Sequence, residues 1–203
     1  MRHVLLFAVL VPSLASADEI YQQPNDPGKV TRVGRGVWEL DIGALGVLTN
    51  DTDNGDSVTR LSTDFSAQLH YFVKDNVSVG IEGLFDYDSL GAGASSITYG
   101  GAVDAAIHLR LGLGAFFRPG IAVGALVGNR NAMVATGTIA QASEFALLTR
   151  LQFPIAYFTS RRFLLQAGPQ LNVQIGNYTP MGGEAVAFRR IAGGFAVGVG
   201  YAF

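Results

Sequence analysis

Apolar and polar residues alternate along this chain with a period of two, from about Val37 through Phe203. Successive side chains of a strand point to opposite faces, so each alternating run predicts a strand with one apolar and one polar face. The first run, Val37 to Leu48, sets Trp38, Leu40, Ile42, Ala44 and Leu48 against Glu39, Asp41 and Gly43. The second sets Leu61, Thr63, Phe65, Ala67, Leu69, Tyr71 and Val73 against Arg60, Ser62, Asp64, Ser66, Gln68 and His70. After the tight turn Lys74-Asp75-Asn76, Val77, Val79, Ile81, Phe85 and Tyr87 oppose Ser78, Gly80, Glu82, Asp86 and Asp88. The fourth run sets Tyr99, Val103, Ala105, Ile107 and Leu109 against Asp104, His108 and Arg110, and the fifth sets Phe117, Pro119, Ile121, Val123, Ala125 and Val127 against Arg118, Gly120, Ala122 and Gly124. In the sixth, Phe145, Leu147, Leu151, Phe153 and Ile155 oppose Glu144, Arg150 and Gln152. The seventh opposes Phe163, Leu165, Ala167, Leu171, Val173 and Ile175 to Gln166, Gly168, Gln170, Asn172 and Gln174. In the eighth, Ile191, Phe195, Val197, Val199, Tyr201 and Phe203 oppose small residues.

The connections alternate in length. Polar stretches at Thr49–Ser57, Ser89–Ser96, Gly128–Ala142 and Gly176–Ala187 read as long loops, and those at 74–76, 112–115 and 159–162 as short turns. Eight strands with long extracellular loops, short periplasmic turns and charges on the inner face predict an all-β fold, a closed antiparallel up-and-down transmembrane β-barrel spanning residues 37–203. Residues 18–36, with Pro24 and Pro27, read as a periplasmic lead-in. The aromatics fall at two depths: Trp38, Tyr71, Phe117, Tyr157, Phe163, Tyr201 and Phe203 at the periplasmic ends, and Phe85, Tyr87, Tyr99 and Phe145 toward the other. Two such girdles match the headgroup levels of a bilayer.

The first residues add an address. Arg2 and His3, the apolar run Val4–Leu14 and Ala15-Ser16-Ala17 have the form of a signal peptide, 1–17, cut between Ala17 and Asp18. Export through such a signal, followed by a barrel, predicts the outer membrane of a Gram-negative cell. The sequence has no Cys, which excludes disulfides, thiol chemistry and a lipidated cysteine. A formal charge of −2 without a basic patch argues against a nucleic-acid partner.

Two segments carry a family likeness. Tyr71-Phe72-Val73-Lys74-Asp75-Asn76-Val77-Ser78-Val79-Gly80 resembles the second-strand, turn and third-strand signature of the small outer-membrane β-barrel proteins related to OmpA and OmpX. Gly198-Val199-Gly200-Tyr201-Ala202-Phe203 resembles the last strand of that family. The resemblance implies that Phe195, Val197, Val199, Tyr201 and Phe203 form the signal read by the barrel-assembly machinery during biogenesis. It implies a fold and a membrane but no particular activity; outer-membrane lipid and lipopolysaccharide are the expected surroundings and a monomer the expected state.

By parity, Glu39, Asp41, Arg60, Asp64, Glu82, Asp86, Asp88, Asp104, Arg110, Arg118, Glu144, Arg150 and Arg190 point into the lumen as a charge network, with His70 and His108 beside them. An eight-stranded barrel is just wide enough for its inward side chains to fill it, so these charges predict an ion-paired plug. The thin wall of Ala192, Gly194, Ala196, Gly198 and Gly200 keeps a narrow conduit for small polar solutes open as an alternative. Two lumen histidines near acids are compatible with zinc, but nothing in the sequence fixes their separation, and ordinary hydrogen-bonded lumen residues are expected. Asp51-Thr52-Asp53-Asn54-Gly55-Asp56 resembles a calcium loop, yet Asp56 and Ser62 stand where an EF-hand needs Gly and Glu. A lipid-active enzyme would need catalytic groups toward the outer surface, and the outward Thr63 and Thr149 have no base on their face. The expectation is therefore a non-enzymatic barrel without catalytic, metal or cofactor-binding residues, with a structural, envelope or surface-interaction role exercised through its extracellular loops toward a ligand of unidentified kind.

Overall fold

The period-two pattern becomes an inside-out molecule in the computed structural model, which describes residues 20–23, 26–53, 56–91, 94–112, 114–133 and 139–203. The expected signal peptide and its cleavage site at Ala17 and Asp18 lie outside the described residues. Two short strands, β1 (Ile20–Gln23) and β2 (Asp26–Val33), pair as a hairpin. The barrel follows, as β3 (Trp38–Asp53), β4 (Asp56–Lys74), β5 (Val77–Gly91), β6 (Ala94–Ile107), β7 (Leu109–Arg110), β8 (Ala115–Phe117), β9 (Gly120–Met133), β10 (Ile139–Gln152), β11 (Ile155–Phe158), β12 (Phe163–Pro180) and β13 (Val186–Ala202). Each long strand pairs antiparallel with the next, in the order β3, β4, β5, β6, β9, β10, β12, β13, and β13 pairs back with β3. These are the expected eight crossings.

The ring of pairings is uneven, and proline is the reason. Pro119 stands between β8 and β9, Pro154 between β10 and β11, and Pro169 within β12. Proline has no N–H to give to a ladder. Each still accepts, from Ile107 N at 3.1 Å, Arg118 N at 2.9 Å and Phe153 N at 3.0 Å respectively. The seam splits three crossings into an upper long strand and a lower short one. Below it, β11 pairs with β12 and β8, and β7 with β8.

Outward positions are apolar and exposed, as at Ile81 (61%), Val103 (60%) and Leu147 (59%), while inward Glu39 is at 0% and Arg190 at 1%. The four stretches expected as long loops are a correction. β3 runs on to Asp53, β5 to Gly91, β9 to Met133 and β12 to Pro180, with partner strands beginning at Asp56, Ala94, Ile139 and Val186. Beyond the bilayer a strand has no lipid face, so its apolar alternation stops while its backbone ladder continues. Asp51, Thr52, Asp53 and Asp56, from the acidic stretch that resembles a calcium loop, belong to one such extension, with Asp53 paired to Asp56.

The segment expected as a lead-in folds against the mouth with the short turns, which is the periplasmic end of such barrels. Val30, Val33 and Val37 are buried there with Phe72, Phe116, Ala156, Phe158, Leu164 and Ala202. Asn76, in the turn after β4 with φ of 60°, donates from its N–H to Val33 O at 2.9 Å, and its Oδ1 accepts from Val33 N at 3.1 Å. Arg32 bridges to Asp75 at 2.8 Å.

Candidate functional site: the charged lumen

Above this apolar floor, inward side chains meet in three tiers. The lowest is built around Arg118, which lies between β8 and β9. Its Nη2 sits 2.6 Å from Glu39 Oε1 and 3.4 Å from Asp41 Oδ2, both from β3, and its Nη1 donates to Gln166 Oε1 of β12 at 2.9 Å. The same Nη2 approaches His70 Nδ1 of β4 at 3.1 Å. A guanidinium only donates, so this contact makes Nδ1 the acceptor and puts the ring proton on Nε2. Nε2 lies 3.0 Å from Asp104 Oδ1 on β6.

Gly80 stands between His70 and Asp104 in the strand register. A Cβ there would fall 2.3 Å from His70 Cδ2 and 2.9 Å from Asp104 Oδ1, so the missing side chain is what lets the two meet. Gly200 does the same for β3, since its Cβ would lie 1.9 Å from Asp41 Oδ1. The thin wall of β13 is therefore filled from neighbouring strands.

The middle tier joins β5 to β10 and β12. Glu82 accepts from Gln68 Nε2 at 2.8 Å and pairs with Arg150. Arg150 Nε and Gln170 Nε2 each donate to Asn172 Oδ1 at 3.0 Å, and Asn172 Nδ2 donates to Asp64 Oδ2 at 2.9 Å. In the upper tier Arg190 of β13 reaches Asp88 Oδ2 at 3.2 Å, Glu144 Oε1 at 3.5 Å and Gln174 Oε1 at 3.0 Å. Ser96 Oγ donates to Glu144 Oε2 at 3.2 Å, and Gln174 Nε2 to Asp86 Oδ2 at 3.4 Å.

One expected member stands outside this network. Arg110 is exposed: the strand breaks at His108, whose N–H donates to Asn76 O at 2.7 Å, and the short β7 below it leaves the parity of β6. Its Nε donates to the Gly112 carbonyl instead. The side chain of Arg60 lies outside the described residues. Sequence reasoning missed Arg130, buried with its guanidinium 4.5 Å from the Tyr178 ring centre, because the stretch holding it was read as loop. It also passed over an apolar patch at inward positions, Leu84, Ala102, Ala122, Leu126 and Leu148. His108 belongs to the floor, its ring 4.7 Å from that of Phe72.

Glu39, Asp41 and His70 place ligand-type atoms within 4.8 Å of one another. The Arg118 guanidinium lies among them and supplies the positive charge there, so an ion pair occupies the place a metal would take. Among the described residues, inward-facing side chains line cavities of about 30 Å³ and about 10 Å³, room for one or two waters. Larger hollows of about 480 and 510 Å³ are grooves on the outer face, lined by Ile42, Phe65, Phe85 and Val197.

No protein-family model and no curated protein sequence matches the chain. Solved structures do match it. Neisserial surface protein A superposes with a TM-score of 0.53 at 13% identity, over 83% of this chain and 100% of that one. This chain has the fold of the small outer-membrane β-barrels. OprG of Pseudomonas aeruginosa (TM-score 0.49, 11% identity, 84% of this chain and 97% of that one) and Ail of Yersinia pestis (0.48, 13%, 83% and 99%) are further matches. A ring of strands with an apolar outer face and a charged lumen is stable only in a bilayer, where every backbone group must be satisfied within the protein. The chain is a protein of the bacterial outer membrane.

Proposed function

We propose that this chain is a plugged, non-enzymatic barrel that serves the envelope as a structural component and carries an interaction surface at its extracellular end. The filled lumen supports this reading best: among the described residues, three ion-paired tiers stand over an apolar floor, and the cavities between them measure about 30 and 10 Å³. The histidines at 70 and 108, the residue type best suited to general-base work, are committed to a buried ion-pair tier and to floor packing, away from both surfaces. Lipid and lipopolysaccharide surround the apolar belt, and the barrel works as a monomer. The surface role falls to the strand extensions above the membrane rather than to long loops. They carry exposed Asn129, Gln141, Ser143 and Asn177 on a rigid ladder.

Planar-bilayer recording on refolded protein tests the reading. We expect no steady step conductance at neutral pH. Large, stable single-channel steps would overturn the plugged barrel in favour of a conduit for small polar solutes.

A further inference from the structure

The periplasmic rim of the barrel carries more base than acid. In the sequence of residues 18–36 and of the short connections 74–76, 109–115 and 159–162, Lys29, Arg32, Arg35, Lys74, Arg110, Arg161 and Arg162 stand against Asp18, Glu19, Asp26 and Asp75. The bases stay in excess with a terminal carboxylate at Phe203 added. One sector gathers three of them. Strands β12, β13, β3 and β4 are adjacent in that order; Arg162 precedes β12, Arg35 precedes β3 and Lys74 ends β4. Arg35 and Lys74 are exposed and Arg162 is half-buried. Among the described residues of this sector, the acid at the surface is Asp75, which is bridged to Arg32 and accepts from Arg35 N at 3.1 Å. Glu39 points the other way, sealed in the lumen against Arg118.

These bases sit at headgroup depth. Trp38 and Tyr71 stand opposite one another in the register with ring centres 4.9 Å apart, and Tyr201 and Phe203 stack at 6.3 Å beside them. Such rings, apolar in body and polar at the tip, settle at the boundary between acyl chains and headgroups. Arg162 Nη1 donates to the hydroxyl of Tyr201 at 3.4 Å, and Tyr201 is 45% exposed on the lipid face. That guanidinium therefore lies along the bilayer side of the rim. Lys74 follows the exposed Val73, and Arg162 precedes the exposed Phe163. A base one residue from a lipid-facing side chain brings its charge to the level of the phosphates, where its long stem lies along apolar surface.

We propose that Arg35, Lys74 and Arg162, around the Trp38–Tyr71 pair, form a binding face for anionic phospholipid of the periplasmic leaflet. The bases meet the headgroup phosphates and the rings meet the upper acyl chains. A zwitterionic headgroup brings no net counter-charge to the surplus, whereas each Lys or Arg near a membrane surface adds to the attraction for anionic lipid. A soluble polyanion in the periplasm would be met best by bases turned away from the bilayer, and the Arg162–Tyr201 contact turns one along it. The proposal rests on the membrane position of the belt and not on whether the lumen conducts.

Trp38 is the single tryptophan of the chain, so its fluorescence reports on lipid at this rim alone. The test is quenching of Trp38 in refolded full-length chain in mixed vesicles of phosphatidylglycerol and phosphatidylcholine, with first one lipid and then the other brominated high in its acyl chains. We expect phosphatidylglycerol to be enriched roughly three- to tenfold beside Trp38 at low salt. The enrichment should fall to about one in about 1 M sodium chloride, where charges are screened within about 3 Å. The triple variant Arg35→Gln, Lys74→Gln, Arg162→Gln should lose the enrichment and keep the barrel Tm. Arg189→Gln, exposed at the opposite end of β13, should keep the enrichment. Equal quenching by the two lipids in the unsubstituted protein would overturn the face, and capture of soluble polyglutamate by the same protein would then assign the rim to a polyanion. Enrichment that survives in the triple variant would overturn it too.

Discussion

Arg118 illustrates how one residue organises the lumen. It touches Glu39, Asp41, His70 and Gln166, which arrive from three different strands. A charge is tolerated at such depth only with its partners, and removing one partner leaves the others buried and uncompensated. Arg118→Ala should therefore cost about 3–5 kcal/mol in urea unfolding from micelles. The triple variant Arg118→Ala, Glu39→Gln, Asp41→Asn should recover most of that loss, because the uncompensated carboxylates go with the guanidinium. A loss below about 1 kcal/mol for the single variant would mean that the tier is hydrated and does not hold the lumen together. The glycines carry the same lesson from the other side. Position 200 reads as thin wall and position 80 as one more inward residue in a strand-by-strand view, yet they are the space that His70, Asp104 and Asp41 fill.

Among the elements, the N-terminal hairpin and the proline seam depart most from a regular barrel. The hairpin is held by Val30 and Val33 in an aromatic floor, by the Asn76 turn and by the Arg32–Asp75 bridge. Burying a valine contributes about 1.5–3 kcal/mol, far less than a barrel ladder as a whole. Replacing Val30 and Val33 together by Asp should release the hairpin while the barrel stays folded. Trypsin would then cut after Arg32 much faster in the variant than in the unsubstituted protein, with little change in barrel Tm. Equal cutting rates would show that the hairpin is not docked through these valines. The upper strand extensions obey a different constraint. Their outward positions carry residues such as Asn129, Ser143 and Asn177, because above the lipid only the ladder has to be kept.

At the scale of the whole molecule, the barrel is defined by what surrounds it. Apolar side chains face out around the ring between an aromatic set including Tyr157, Phe163 and Tyr201 and another including Phe85, Tyr99 and Phe145. Arginine at a mid-belt position should be costly wherever it is placed on the ring. Val123→Arg is expected to destabilise the barrel in lipid vesicles by about 2–4 kcal/mol, against about 0–1 kcal/mol for Asn129→Arg above the belt. Equal penalties at the two depths would contradict the membrane position assigned to the belt.

The alternation alone determined the number of crossings, which faces meet lipid, and which side chains enter the lumen along the long strands. Period two admits only one parity per strand, and lipid punishes the wrong one. The tertiary structure decided everything that depends on how strands are staggered around the ring. Arg118 meets Glu39 and Asp41 although nearly eighty residues separate them, and Arg150 meets Glu82 rather than Asp104, because strand register sets which inward positions share a level. Arg110 had the expected parity on paper and lost it where the strand breaks at His108, a non-local event set by the ladder to β8 and the Asn76 carbonyl. The docked hairpin and the long extensions were equally illegible, since polar strand and polar loop have one composition and only the partner backbone tells them apart. The sequence supplied two faces for each strand; the pairing and stagger of those strands chose which charges neutralise which.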